Sequence, residues 1–125
     1  MSVIEFTGNV VSGKHIGTTL GFPTANIVPC EDVELPADGV YAARISIRGK
    51  DERHNCVLNQ GIHPTLPEGG KTIEAFILDF SEDIYGAEVT VEYVSFIRGE
   101  MKFSGIEELK RQIAMDVQTA RDLLI

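Results

Sequence analysis

The sequence predicts a mainly β domain that carries one helix at its C-terminal end. Short apolar segments at about 3–11, 24–28, 40–48, 54–59, 72–80 and 88–97 are separated by Gly, Pro, Asn and Asp. The last of them alternates, with Val89, Val91 and Tyr93 on one face and Glu88, Thr90 and Glu92 on the other. Near residue 104 the apolar period changes to steps of three and four. Many short strands with frequent turns suggest a sandwich or a small closed barrel.

The elements follow in order. Segment 24–28 begins after Pro23, which fixes its own φ and pushes Phe22 toward an extended backbone. Segment 40–48 is rich in Val, Ile and Tyr and starts after the turn signal Asp38-Gly39. In 72–80 a period of two places Glu74, Phe76, Leu78 and Phe80 on one face. Asp83 to Gly86 punctuates the gap before the final strand. The spacing then predicts a helix over 104–124, about 30 Å long. Ser104 followed by Glu107 fits a capping box. Ile106, Leu109, Ile113, Val117, Ala120 and Leu124 make a stripe that must bury against the sheet.

The chain has 125 residues, which fits a single domain over 1–125, with 43% hydrophobic and 24% charged residues arguing against disorder. Eleven Lys and Arg against 19 Asp and Glu give a net charge of −8, which disfavours a general nucleic-acid surface. No apolar run approaches the roughly 20 residues of a membrane helix, and Met1-Ser2-Val3-Ile4-Glu5 is no secretory signal. Cys30 and Cys56 show no metal or disulfide pattern and read as reduced thiols of a cytoplasmic protein. His15, His54 and His63 show no metal spacing. A monomer is expected, with small-molecule partners, no nucleic acid and no membrane.

Three places could carry chemistry. Gly8 to His15 has the G-x4-G-K spacing of a P-loop, but His15 stands where a Mg2+-binding hydroxyl is needed and no helix follows, so a Walker site is rejected. A glycine-rich loop remains, with Gly13, Lys14, Gly17 and Gly21, whose N–H groups could approach phosphates; a plain surface loop is the alternative. Next, Thr24 and Asn26 are two apart, so a hydroxyl and an amide oxygen share one face and could hold Mg2+ with a nucleotide's phosphates. Turn hydrogen bonds are the plainer use of the same pair. Third, Glu74 on an apolar face suits a general base, because desolvation disfavours its charged form; a hydrated place at the barrel rim is the alternative.

Taken together these stretches resemble the riboflavin kinase (flavokinase) family, the kinase half of the bacterial bifunctional FAD synthetases. The resemblance rests on the Gly13–Gly21 loop, Leu20-Gly21-Phe22-Pro23-Thr24-Ala25-Asn26, Gly39-Val40-Tyr41, and Asn59-Gln60-Gly61 with Pro64-Thr65. It continues through Glu74, Asp83-Ile84-Tyr85-Gly86, Ile97-Arg98-Gly99-Glu100 with Phe103, and Gln112-Ile113 with Asp116, in family order over nearly the whole chain. It implies a six-stranded antiparallel Greek-key β-barrel with one C-terminal α-helix packed on it. It implies transfer of the ATP γ-phosphate to the riboflavin 5′-hydroxyl, giving FMN and ADP, with Mg2+ required.

By the same resemblance, Thr24 and Asn26 hold Mg2+ and nucleotide phosphate, and Glu74 is the catalytic base. Ile77 and Tyr85 line the adenine side, while Arg98 and Phe103 contact the flavin. The loop 13–21 is expected to close over the nucleotide. The chain leaves no room for a nucleotidyltransferase domain, so its product is expected to be FMN rather than FAD. Thr18 stands where bacterial members usually carry Arg, Phe76 where they often carry His, and Gln60 where the motif usually reads Asn-Ile-Gly. The loss at Thr18 motivates an alternative, a catalytically weakened flavin- or nucleotide-binding module of the same fold.

Overall fold

A computed structural model of the chain describes residues 4–11, 24–30, 34–62, 71–80, 84–99 and 101–124. Alternation decides its architecture. Strand β1 (Glu5–Val11) turns Phe6, Gly8 and Val10 inward and the residues between them outward. Strands β2 (Ala25–Pro29), β3 (Gly39–Ile47), β4 (Arg53–Ile62), β5 (Lys71–Ile77) and β6 (Glu88–Arg98) follow, and the helix α1 spans Ile106–Leu123. All pairings are antiparallel and close in the order β1-β2-β5-β4-β3-β6, the expected six-stranded barrel. β3, β4 and β5 are consecutive neighbours and β6 returns to lie beside β3, which is a Greek key. Closure leaves no strand edge unpaired.

The lumen is packed by Ile27, Ile45, Leu58, Ile73, Val89 and Val91, each 2% exposed or less. Burying such side chains stabilises by about 1.5–3 kcal/mol apiece before conformational entropy is subtracted. Among the described residues, a buried amide shares this interior. Gln60 is fully buried, and both ends of its amide are satisfied. Its Nε2 donates to the Pro36 carbonyl at 2.7 Å, and the Tyr93 hydroxyl donates to its Oε1 at 2.5 Å. The Tyr41 hydroxyl donates to the Ala37 carbonyl, so segment 36–38 is tied across one end of the barrel. At the mouth, a Cβ on Gly39 would lie 2.7 Å from both the Arg98 carbonyl oxygen and the Phe96 ring, so only glycine fits.

A second apolar cluster lies outside the barrel. Val40, Ala42, Val57 and Leu78 pack there with Ala120 and Leu124, flanked by Phe76, Ile97 and Val117. This is where the helical stripe docks, against β3, β4 and β6.

Three local expectations change. β5 ends at Ile77, because Leu78 and Asp79 form a turn with Asp79 at φ 56. Phe80 therefore leaves the face of Glu74 and Phe76; it packs against the lumen cluster, its ring 4.7 Å from that of His54. The capping box does not form: Gly105, with extended backbone, is the N-cap, and the Ser104 hydroxyl donates to Glu108 Oε2 at 2.6 Å. Ser104 stands one residue too early to reach the orphan amides, so it engages a first-turn carboxylate instead. Ile106 is 55% exposed, because the helix seats on the barrel through its C-terminal half.

Candidate active site

Cross-strand register builds the site. Asn26 lies opposite Glu74 between β2 and β5, and Glu74 lies opposite Asn59 between β5 and β4. Asn59 in turn faces Val40 on β3, and Val40 faces Arg98 on β6. Directly opposite residues project to the same side of a sheet. That side is the outer one, since their neighbours Ala25, Ile27, Ile73, Ala75 and Leu58 all belong to the lumen cluster. One transverse row thus carries Asn26, Glu74, Asn59, Val40 and Arg98 across five strands.

At one end of the row, Thr24 and Asn26 are half-buried, yet Thr24 Oγ1 and Asn26 Oδ1 are closed off from solvent with no hydrogen-bond partner. An orphaned buried oxygen costs about 1–3 kcal/mol, and two on neighbouring side chains could be satisfied together by one ligand. The turn hydrogen bonds weighed against this reading are not made. The pair suits Mg2+, a hard cation that accepts a few protein oxygens and takes the rest from water and phosphate. Both ligands are neutral, so no acidic cluster is needed; among the described residues no group of three or more His, Cys, Asp and Glu could hold a metal.

Glu74 is half-buried beside Asn26, with its Oε1 sheltered from solvent. It points away from the lumen but sits next to the Thr24–Asn26 pair, where a carboxylate can take a proton from a group held against that pair. Phe76, two residues on, packs into the cluster beneath the helix and walls the same face.

At the other end, Arg98 is engaged by the helix. Its Nε donates to Asp116 Oδ1 at 3.0 Å and its Nη2 to Oδ2 at 2.8 Å, a two-pronged pair with Asp116 only 4% exposed. Gln112 Nε2 donates to the same carboxylate at 3.0 Å, and Arg98 Nη1 to the Gly99 carbonyl at 3.0 Å. The Phe103 ring centre lies 5.9 Å from the Arg98 guanidinium carbon, so the two residues expected at the flavin are together.

The remaining expected site residues divide. Tyr85 stands on the turn before β6, 66% exposed, with Gly86 at φ 84 completing the bend. Ile77 instead faces the lumen, 6% exposed. Gly13, Lys14, Gly17, Gly21 and Thr18 lie outside the described residues. The sequence offers Asn59 only as part of a motif, at the end of the segment 54–59. β4 in fact runs on to Ile62, which puts Asn59 inside a ladder. The usable signal was its place between the lumen residues Leu58 and Gln60.

Comparison with known proteins gives the family. The riboflavin kinase (Flavokinase) family model matches residues 2–124. A bifunctional riboflavin kinase/FMN adenylyltransferase of Haemophilus influenzae is 42% identical over 114 residues, covering 91% of this chain and 36% of its own length. An RNA-binding riboflavin kinase of Bacillus subtilis is 37% identical, over 88% of this chain and 46% of its own length. The chain therefore spans about a third to a half of the length of these curated relatives. Among solved structures, riboflavin kinase from Trypanosoma brucei superposes with a TM-score of 0.66 at 30% identity, covering 99% of this chain and 81% of that one. A protein described as a macrolide-efflux protein of Streptococcus pneumoniae superposes at 0.85 with 32% identity, over 96% of this chain and 39% of that one. A family match over nearly every residue, joined to the closed barrel and its outer row, makes the chain a member of the riboflavin kinase family.

Proposed function

We propose that this domain transfers the γ-phosphate of ATP to the 5′-hydroxyl of riboflavin, giving FMN and ADP. The observation that carries the proposal is the side-by-side placement of two orphaned neutral oxygens, on Thr24 and Asn26, and the Glu74 carboxylate on one face. Phosphoryl transfer asks a protein for positioning and charge neutralisation rather than covalent chemistry; this site offers the positioning and two oxygens that could hold a neutralising cation.

Thr24 and Asn26 are the residues that would hold Mg2+ with the nucleotide phosphates. Bound there, the ion supplies charge neutralisation on the phosphate oxygens, which an acidic chain of net charge −8 does not readily supply itself. Glu74 accepts the proton of the attacking 5′-hydroxyl as the new P–O bond forms. Tyr85 offers an exposed ring to the adenine, whereas Ile77 is left to the core. Phe103 offers a ring face at the flavin end, with Arg98 beside it fixed in place by Asp116.

The partners are two small molecules. The acidic charge argues against nucleic acid for this domain, and RNA binding stays with the Bacillus relative. Among the described residues no helix is long and apolar enough to cross a membrane, and two free thiols fit a reducing, cytoplasmic setting.

The test is incubation with riboflavin and MgATP followed by chromatography of the flavins. Stoichiometric FMN and ADP support the proposal. Tight flavin binding with no FMN would overturn it in favour of a weakened binding module. Asn26→Ala should raise the KM for MgATP and leave the KM for riboflavin in place.

A further inference from the structure

Within the transverse row Asn26–Glu74–Asn59–Val40–Arg98, we infer that Asn59 binds the polyol chain of the acceptor and selects for it. The row is read directly from register, and its order is chemically directional. The phosphate-holding pair stands at the β2 end and the base comes next on β5. The guanidinium and aromatic ring that meet the flavin stand at the β6 end. An acceptor lying along this row has its reacting hydroxyl at Glu74 and its ring toward Arg98 and Phe103. The stretch between them is the polyol; of the two side chains of the row in that stretch, Val40 is covered by the helix and Asn59 is the one open to a ligand.

Exposure supports the same place. Asn26 and Glu74 are half-buried, Val40 is 3% exposed beneath the helix, and Arg98 is held by Asp116. Of these five residues only Asn59 is exposed, so the row opens to a ligand at that point. Opposite side chains on neighbouring strands have Cβ atoms about 4.5–5.5 Å apart, which sets Asn59 one step beyond the base. A carboxamide both donates and accepts, as a run of hydroxyl groups requires, and cannot compete with Glu74 for the transferred proton. In-line transfer places the entering and leaving oxygens on opposite sides of the phosphorus, so the acceptor approaches from the Asn59 side while the nucleotide occupies the Asn26 side.

This inference rests on the riboflavin kinase reading, and the experiment separates the two. Steady-state FMN formation is measured for the wild-type domain, Asn59→Ala and Asn59→Ser, with riboflavin and MgATP varied in turn. Flavin binding is measured by fluorescence quenching with riboflavin and with lumiflavin, which has the ring and no polyol. Asn59→Ala should raise the riboflavin KM about tenfold, the effect of one lost neutral hydrogen bond, with the MgATP KM unchanged. Lumiflavin affinity should stay put, and Asn59→Ser should recover part of the loss because it restores a hydrogen-bonding group. An unchanged riboflavin KM overturns the assignment. So does an equal loss for riboflavin and lumiflavin, or a fall confined to kcat, which would make Asn59 a support for Glu74. Absence of FMN from the wild-type domain overturns the kinase reading itself, and the polyol assignment with it.

Discussion

The two faces of the same strands are finished differently. On β5, Ile73, Ala75 and Ile77 turn inward and are at most 6% exposed, while Glu74 and Phe76 turn outward and are half-buried. On β4, Leu58 and Gln60 are sealed inside and Asn59 between them is exposed. Even the polar group in the lumen is fully paired, since Gln60 has partners at both ends of its amide. Outside, Thr24 and Asn26 keep buried oxygens with no protein partner. The inward face supplies the stability, and the outward one leaves polar groups for a ligand to complete.

Substitutions on the two faces should therefore separate activity from stability. The largest expected effect is Glu74→Gln. If Glu74 is the base, FMN formation should fall about 10²–10⁴-fold, while the melting temperature and riboflavin binding hold. Turnover at the wild-type rate in rate assays and melts would remove Glu74 from the mechanism. The mirror experiment is Leu58→Ala, adjacent to Asn59 but fully buried. It should cost about 2–5 kcal/mol in denaturant unfolding, because a cavity opens in the lumen, with both KM values unchanged where the domain remains folded. A large KM change in Leu58→Ala would show that the two faces are coupled through β4.

Most of this division was legible in the sequence. Period-two alternation in 88–93 and the apolar run around Glu74 place their strands correctly, because alternation is a direct consequence of backbone pleat. Thr24 and Asn26 are legible as a same-face pair for the same reason. What alternation cannot report is where it stops. Asp79 at φ 56 ends β5 and sends Phe80 elsewhere, and the Asp-Phe pair carries no Gly or Pro to announce a turn. Ser104 and Glu107 have the right spacing for a cap, yet the chain enters the helix through Gly105, whose extended backbone makes it the N-cap. The five-strand row is invisible to any one-dimensional reading, because it depends on register between strands far apart in sequence. Gln60 looks like a flaw in an apolar motif until Tyr93 and Pro36 are seen to meet it.

The smaller effects test whether the lumen is as self-contained as its hydrogen bonds indicate. Tyr93→Phe keeps the ring but strips Gln60 Oε1 of its donor, and should cost about 1–3 kcal/mol in denaturant unfolding with no change in either KM. A neutral outcome would mean that water reaches Gln60 and the lumen is not dry.

The subtlest expectation concerns alkaline pH. Burial pushes the Cys56 thiol up to about 12 and raises the Tyr93 hydroxyl well above its ordinary range, the nearby Tyr41 and Asp38 adding to the latter. In the unfolded chain the thiol loses its proton near its ordinary value of 9.0. Between those limits the unfolded state binds fewer protons than the folded one, so stability must fall as pH rises, by up to about 1.4 kcal/mol per pH unit for each such group. The contribution is intact below pH 9 and is withdrawn progressively toward 12. Cys56→Ala lowers stability at every pH through the cavity it leaves, but between pH 8 and 10 its stability should fall by about 1 kcal/mol less than that of the wild type. Denaturant midpoints at the two pH values measure that difference, and equal falls in the two proteins would mean that solvent already reaches the thiol in the folded barrel.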